Sequence, residues 1–308
     1  MKNQSNTYAN DVDLPKGIQR NTALPDKGLD LLWNSIVLDQ TTKERLVSQA
    51  VLNFTIRGKV DRSVLPLHGV ILLVGPPGTG KTSLAKGLAN RVAELFKGQK
   101  FRLLEVEPHA LTSSAMGKTQ RAVSDLFSQT IAEAAAAGPT IVLLDEVETL
   151  AADRSKLSLE ANPVDVHRAT DAVLVQLDAL AERFPTLLFI ATSNFPQAVD
   201  AAFTSRCDLV LNVPLPDKEA CRQILLDCLT GLAKTFPHVE KLQSSSDFEK
   251  CAAACVGLDG RAIRKTVANA FARRKETAIN PNLLSADDLI GAATDAKQMR
   301  IAKKEGVI

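Results

Sequence analysis

The sequence carries almost no net charge and no long apolar run. Across 308 residues, 37 basic and 35 acidic side chains leave a formal balance of +2. That offers no electrostatic footprint for nucleic acid or an anionic membrane. Its basic clusters, Arg261, Arg264, Lys265 and Arg273-Arg274-Lys275, lie at helical spacing. They read as a solvated face or a nucleotide-sensing edge. No stretch approaches the length of a membrane span. The opening Met1-Lys2-Asn3-Gln4-Ser5-Asn6 lacks the apolar core of a secretion signal. No cysteine precedes Cys207, and the five present (Cys207, Cys221, Cys228, Cys251 and Cys255) have no framework spacing. An odd, unpatterned set points to a reducing cytoplasm and to small buried side chains rather than a metal site. With 45% hydrophobic and 23% charged residues, the expected class is a globular protein with one main and one smaller domain.

What is present is a phosphate loop. Gly75-Pro76-Pro77-Gly78-Thr79-Gly80-Lys81-Thr82 fits G-x-x-x-x-G-K-[ST]. A β-branched apolar run, Gly69–Val74, precedes it, and a helical pattern from Ser83 to Ala89 follows. Strand, glycine loop and helix N-terminus in that order make a phosphate cradle. Gly78 and Gly80 let backbone N–H groups curl round the phosphates. Lys81 is expected to reach the β- and γ-phosphates, and the Thr82 hydroxyl to ligate Mg²⁺. ATP with Mg²⁺ is the expected ligand, held by Gly75 through Ser83.

Five short apolar runs punctuate the chain: Val70–Val74, Phe101–Val106, Ile141–Leu144, Leu187–Ala191 and Leu209–Val213. Continuous rather than alternating apolarity suits parallel strands covered on both faces. Helical patterns lie between them. The fold class is therefore α/β, a doubly wound parallel five-stranded sheet. After Pro214 and Pro216 only helical patterns remain: Lys218–Leu232, Phe248–Val256, Asp259–Thr277 and Ala286–Gln298. The expected division is a flexible N-terminal arm over 1–28, an ATPase subdomain over 29–215 and a helical lid over 216–308. Thr41-Thr42-Lys43-Glu44 reads as a capping box opening a helix, and Asp153–Pro163 as a loop without helical periodicity.

Further chemistry gathers at the strand ends. Ile141-Val142-Leu143-Leu144-Asp145-Glu146 is a buried strand whose acids emerge at its C-terminal end, where such sheets bind ligands. Asp145 is expected to hold Mg²⁺ and Glu146 to polarise the attacking water. Leu187 through Asn194 is a second such strand, placing Asn194 level with Glu146 to orient that water, with a helix or turn cap before Phe195-Pro196 as the alternative. Arg206 lies just before the last strand. In a ring it could reach a neighbour's γ-phosphate, worth about 10³–10⁵ in rate. A surface salt bridge with Asp208 is the alternative, and the fragment leaves both open. Gly257-Leu258-Asp259-Gly260-Arg261 starts a lid helix from which Arg261 could lean over the nucleotide, with Arg264 one turn on as competitor.

These elements, in this order from about Leu31 to Ala278, resemble an AAA+ ATPase. Leu32 through Asp39, Thr192-Ser193-Asn194, Asp200 through Asp208 with one arginine, and Gly257-Leu258-x-Gly260-Arg261 resemble the pachytene-checkpoint family, remodellers of HORMA-domain proteins. The resemblance implies a homohexamer that pulls on its substrate. Asn194 is then sensor one, Arg206 the trans finger and Arg261 sensor two, with Val37 near the adenine. Two features depart from the family. The roughly thirty polar residues before the motif block are expected to be too few for the adaptor domain usual in the family. In the pore loop Ser113–Lys118, Ala115 stands in the usual aromatic slot, and Met116 is the only sizeable apolar side chain. A HORMA-domain partner, in a bacterial antiviral system built on nucleotide second messengers, is the implied setting. An ATP-dependent binding switch or scaffold is the alternative, and a DNA motor is disfavoured by the charge balance.

Overall fold

The computed structural model describes residues 14–108, 111, 118–152 and 163–304. Most of the Ser113–Lys118 loop, all of Asp153–Pro163 except Pro163, and residues 1–13 lie outside the described residues. In chain order, the sheet-bearing part contains β1 (Ile18–Leu24), α1 (Lys27–Ser35), α2 (Gln40–Ile56), β2 (Val70–Val74) and α3 (Lys81–Leu95). It continues through β3 (Phe101–Val106), α4 (Lys118–Asp125), α5 (Ala132–Ala137), β4 (Thr140–Leu144) and α6 (Pro163–Arg183), then β5 (Leu187–Ser193), α7 (Ala201–Thr204) and β6 (Leu209–Asn212).

The five expected apolar runs all form strands, and they pair in parallel. The sheet nevertheless has six strands, in the order β1-β3-β4-β5-β2-β6. The expectations of five strands and of an unstructured arm up to residue 28 are corrected here. Residues 18–24 pair antiparallel with β3 at the edge. Only Ile18, Thr22 and Leu24 of this strand are buried. An edge strand that buries one face carries too few apolar residues to stand out as a run.

Alternation along each parallel strand sorts side chains onto two faces. Leu72, Leu104, Val142, Leu144, Phe189 and Ala191 meet helices α4 to α6 on one side. Ile71, Leu73, Leu103, Ile141, Leu143 and Ile190 meet α2 and α3 on the other. Each fully buried leucine or isoleucine is worth about 1.5–3 kcal/mol. The apolar runs therefore fix a sheet covered on both faces, with its strand C-termini aligned at one rim.

Helix starts follow side-chain caps. Asp26 accepts from the N–H groups of Gly28 and Leu29. Asp39 accepts from Thr42 N–H at 2.8 Å. The second cap corrects the expected capping box: α2 opens two residues earlier, on Asp39 rather than on Thr41. The lid holds α8 (Lys218–Ala233), α9 (Phe248–Cys255), α10 (Gly260–Phe271), α11 (Lys275–Ile279) and α12 (Ala286–Lys304). The helix expected over Asp259–Thr277 is therefore two, separated at Ala272–Arg274. The buried side chains of a third core, from Cys221 to Ala293, all follow β6, and Val37 packs against them. Cys221, Cys251 and Cys255 are buried in it as free thiols. Burial pushes the Cys255 thiol up to about 12, which keeps it unreactive. No described helix is long and apolar enough to cross a membrane.

Candidate functional site

The site begins where β2 ends. Residues 75–80 turn the chain into α3, and two glycines in this loop have left-handed backbones: Gly78 at φ +81 and Gly80 at φ +90. Space enforces them as well. A Cβ at Gly78 would stand 2.2 Å from Asp259 Oδ1, and one at Gly80 would stand 2.4 Å from Ile36 Cδ1. Pro77 is exposed at the tip, and Thr79 closes the loop by donating to Pro76 O at 3.0 Å. Lys81 is 4% exposed. Its Nζ donates to Gly75 O and Pro76 O, each at 2.9 Å, and to Asn194 Oδ1 at 2.8 Å. Burial pushes its ammonium below the usual lysine value, while Glu148, Asp145 and Glu146 pull it back up.

The neighbouring strand ends converge on this loop. Thr82 Oγ1 donates to both Asp145 carboxylate oxygens, at 2.9 and 3.2 Å. Thr192 at the end of β5 also donates to Asp145, and its hydroxyl accepts from Glu146 N–H at 3.1 Å. Glu146 has φ +52, uncommon for a side-chain-bearing residue and often found where geometry serves function. That turn aims its carboxylate at Asn194, whose Nδ2 donates to Glu146 Oε1 at 3.1 Å. The structure thus brings Lys81, Thr82, Asp145, Glu146 and Asn194 into one cluster. A hydroxyl beside a carboxylate is an oxygen donor set that suits Mg²⁺, so Thr82 and Asp145 fit that ion.

Beside the loop lies a cavity of about 260 Å³ between the sheet and the lid. Val37, Gly78, Thr79, Ser83, Ile224, Arg261 and Arg264 are among its lining residues. Val37 packs against the lid core, whereas Ile36 and Leu38 pack against the α2–α3 side of the sheet. Arg261 N–H donates to Gly78 O at 3.3 Å, which sets the start of α10 directly on the phosphate loop. Arg264 Nη2 is tied to Ser35 O at 3.0 Å.

Arg206 is elsewhere. It precedes β6 at the strand's entry, while the phosphate loop follows the exit of the parallel neighbour β2. The two stand at opposite ends of the sheet. Arg206 donates to Asp178 through Nε at 2.9 Å and Nη2 at 2.7 Å, and to Ala202 O through Nη1 at 2.8 Å. The Arg206 hydrogen bonds hold the Asp178 carboxyl below its ordinary range. The salt bridge weighed with Asp208 does not form. That carboxylate instead accepts from the backbone N–H groups of His68, Gly69 and Val70.

Sequence reasoning missed Thr192, Glu148, Asp178 and Asp259. Asp259 both caps α10, accepting from Ala262 N–H at 2.9 Å, and abuts Gly78. Each acts through a contact distant in the chain that no local pattern encodes. Thr192, inside Thr192-Ser193-Asn194, and Asp259, inside Gly257-Leu258-Asp259-Gly260-Arg261, carried a signal.

The family described as "ATPase family associated with various cellular activities (AAA)" matches residues 71–215. CD-NTase-associated protein 6 of Pseudomonas aeruginosa is 73% identical over 95% of this chain and 96% of its own length. A pachytene checkpoint protein 2 homolog of Oryza sativa subsp. indica is 32% identical over 92% of this chain. The chain spans 66% of that relative and 50% of others bearing the same name. Among solved structures, a chain of the E. coli MS115-1 HORMA:CdnC:Trip13 complex superposes with a TM-score of 0.71. The match covers 90% of this chain and 94% of that one at 20% identity, a likeness of fold.

Proposed function

This chain belongs to the AAA family of ATPases, among relatives that include CD-NTase-associated protein 6 and the pachytene checkpoint proteins, and we propose that it hydrolyses ATP as a homohexamer to change the conformation of a HORMA-domain partner. The observation that carries the ATPase reading is the meeting of Lys81, Asn194 and Glu146 beside the Thr82–Asp145 pair.

ATP is the substrate. Its phosphates lie along Gly75 to Ser83, with Lys81 supplying a cation to the β/γ end and Val37 and Arg261 walling the nucleoside side. Thr82 and Asp145 would hold Mg²⁺, which neutralises phosphate charge when bound. Glu146 accepts the proton of the attacking water, and the Asn194 amide fixes the orientation of that carboxylate. Arg206, remote from its own phosphate loop, serves the neighbouring subunit's γ-phosphate. A finger of this kind is worth about 10³–10⁵ in rate.

The decisive experiment mixes subunits. Arg206→Ala and Lys81→Ala are each expected to be inactive alone, and their mixed rings to regain part of the phosphate release. No recovery in rings shown to assemble would leave Arg206 as a fold contact with Asp178. Support for the partner comes from the CD-NTase association of a relative 73% identical and from the HORMA and Trip13 components of the E. coli complex. A Glu146→Gln protein should co-purify with a HORMA-domain protein in ATP, and wild type should release it on turnover. The partner and the ring would then act in the cytoplasm, in an antiviral second-messenger system. Ala115 in the pore loop favours the second reading, a switch that binds without pulling. Stable binding with turnover but no change in the partner would establish that reading.

A further inference from the structure

Glu148 belongs to none of the motif positions, yet it closes the active cluster. It lies two residues past Glu146 in the short 3-10 turn Val147–Thr149. Its Oε1 accepts the backbone N–H of Asn194 at 3.1 Å. Oε2 is buried and has no hydrogen-bond partner among the described residues. Glu148 is also the leading source of the favourable field on buried Lys81.

Asn194 is therefore gripped from three sides. Lys81 and Glu146 take its side-chain amide, and Glu148 takes its backbone. The first two are groups that act on phosphate and water, so their bonds rearrange during turnover. The third is a fixed staple from the loop after β4 to the end of β5. Burying a carboxylate oxygen without a partner costs free energy, and here the cost falls beside the reacting groups.

We propose that Glu148 is a positioning residue for hydrolysis, setting the backbone of Asn194 so that its amide meets both Lys81 and Glu146. This rests on the ATPase reading above. The test compares Glu148→Met, which keeps volume and removes the acceptors, with Glu148→Gln, which keeps an acceptor and removes the charge. Each is measured for kcat, KM, ATP affinity and Tm, alone and with Asn194→Ala.

Glu148→Met is expected to lower kcat about tenfold, the scale of one lost hydrogen bond to a working group. KM and ATP affinity should hold, and Tm should change little, because loss of the unpartnered oxygen offsets the Asn194 N–H left without its acceptor. Glu148→Gln should keep kcat within about threefold of wild type, since an amide oxygen still accepts the N–H. In the Asn194→Ala background, Glu148→Met should cost nothing further, because two groups acting as one unit are not additive. Wild-type kcat in Glu148→Met overturns the proposal. So does a joint fall of Tm, affinity and kcat, or full additivity with Asn194→Ala. If Asn194→Ala itself turns over at the wild-type rate, Asn194 loses its assigned role and the proposal falls with it.

Discussion

A single ammonium, that of Lys81, holds two loop carbonyls and the Asn194 amide while almost wholly buried. No other cation in the Gly75–Ser83 segment can replace it. Lys81→Ala should therefore lose ATP binding, and a nucleotide titration matching wild type would refute that role. The Thr192 hydroxyl is equally specific, bridging Asp145 to the Glu146 backbone. Thr192→Val keeps the shape and removes the bridge. The expected result is a fall in kcat of about tenfold, from a hydrogen bond of roughly 1–1.5 kcal/mol, with ATP affinity unchanged in titration. Equal losses of both would make Thr192 a packing residue. At Gly78, an alanine meets the Asp259 carboxylate and a left-handed backbone together. Gly78→Ala should weaken ATP binding and lower Tm, read by titration and thermal melts. At this scale the motif residues themselves were legible, because P-loop chemistry is written in consecutive positions. The partners Asp178, Asp259 and Glu148 were not, since only folding brings them to Arg206, Gly78 and Asn194.

Among the elements, α12 shows how a start signal becomes pH-dependent stability. Ser285 Oγ accepts from Asp288 N–H at 3.3 Å, and Asp288 accepts from Ser285 N–H at 3.0 Å, a reciprocal cap worth about 1 kcal/mol. Arg274 adds a two-pronged bond to the same carboxylate. These donors, Arg274 foremost, hold the Asp288 carboxyl down to about 2, against an unfolded value near 3.9. A depressed carboxyl stabilises the fold above its unfolded value, and the gain disappears as pH falls towards 2. Asp288→Asn should therefore lower Tm at neutral pH, and its gap from wild type should close between about pH 4 and pH 2. A gap independent of pH in thermal melts would contradict this. The parallel strands were readable because double-sided burial demands continuous apolar runs. β1 was not, because Gln19, Arg20, Asn21 and Ala23 point outward or stay exposed along a single buried face. The break between α10 and α11 was hidden by helix-forming residues on both sides of it.

For the whole molecule, two cores share the sheet and a third belongs to the lid, with residues 36–38 touching both sides. The nucleotide cavity is walled by both parts. ATP should therefore slow amide hydrogen exchange at residues 36–38 and 258–264 together. In Arg261→Ala the protection should shrink at 258–264 and persist around the phosphate loop. Protection confined to the loop in wild type would mean that the lid does not sense the ligand. That only helices follow β6 among the described residues was legible from Pro214 and Pro216 and from the change to purely helical patterns. That Arg206 precedes the last strand was legible, whereas its partner Asp178 was not, because the fold alone brings α6 to it.

The small strand β1 also has a mechanical meaning. Gly17 O accepts from Glu107 N–H at 2.9 Å, and Ile18 stands opposite Val106, where the chain leaves β3 towards the Ser113–Lys118 loop. β3 is thus clamped by β1 on one edge and β4 on the other. Tension along the axis of β3 loads both ladders in shear rather than peeling bonds one by one. A strand paired on both edges in this way is stiff along its axis.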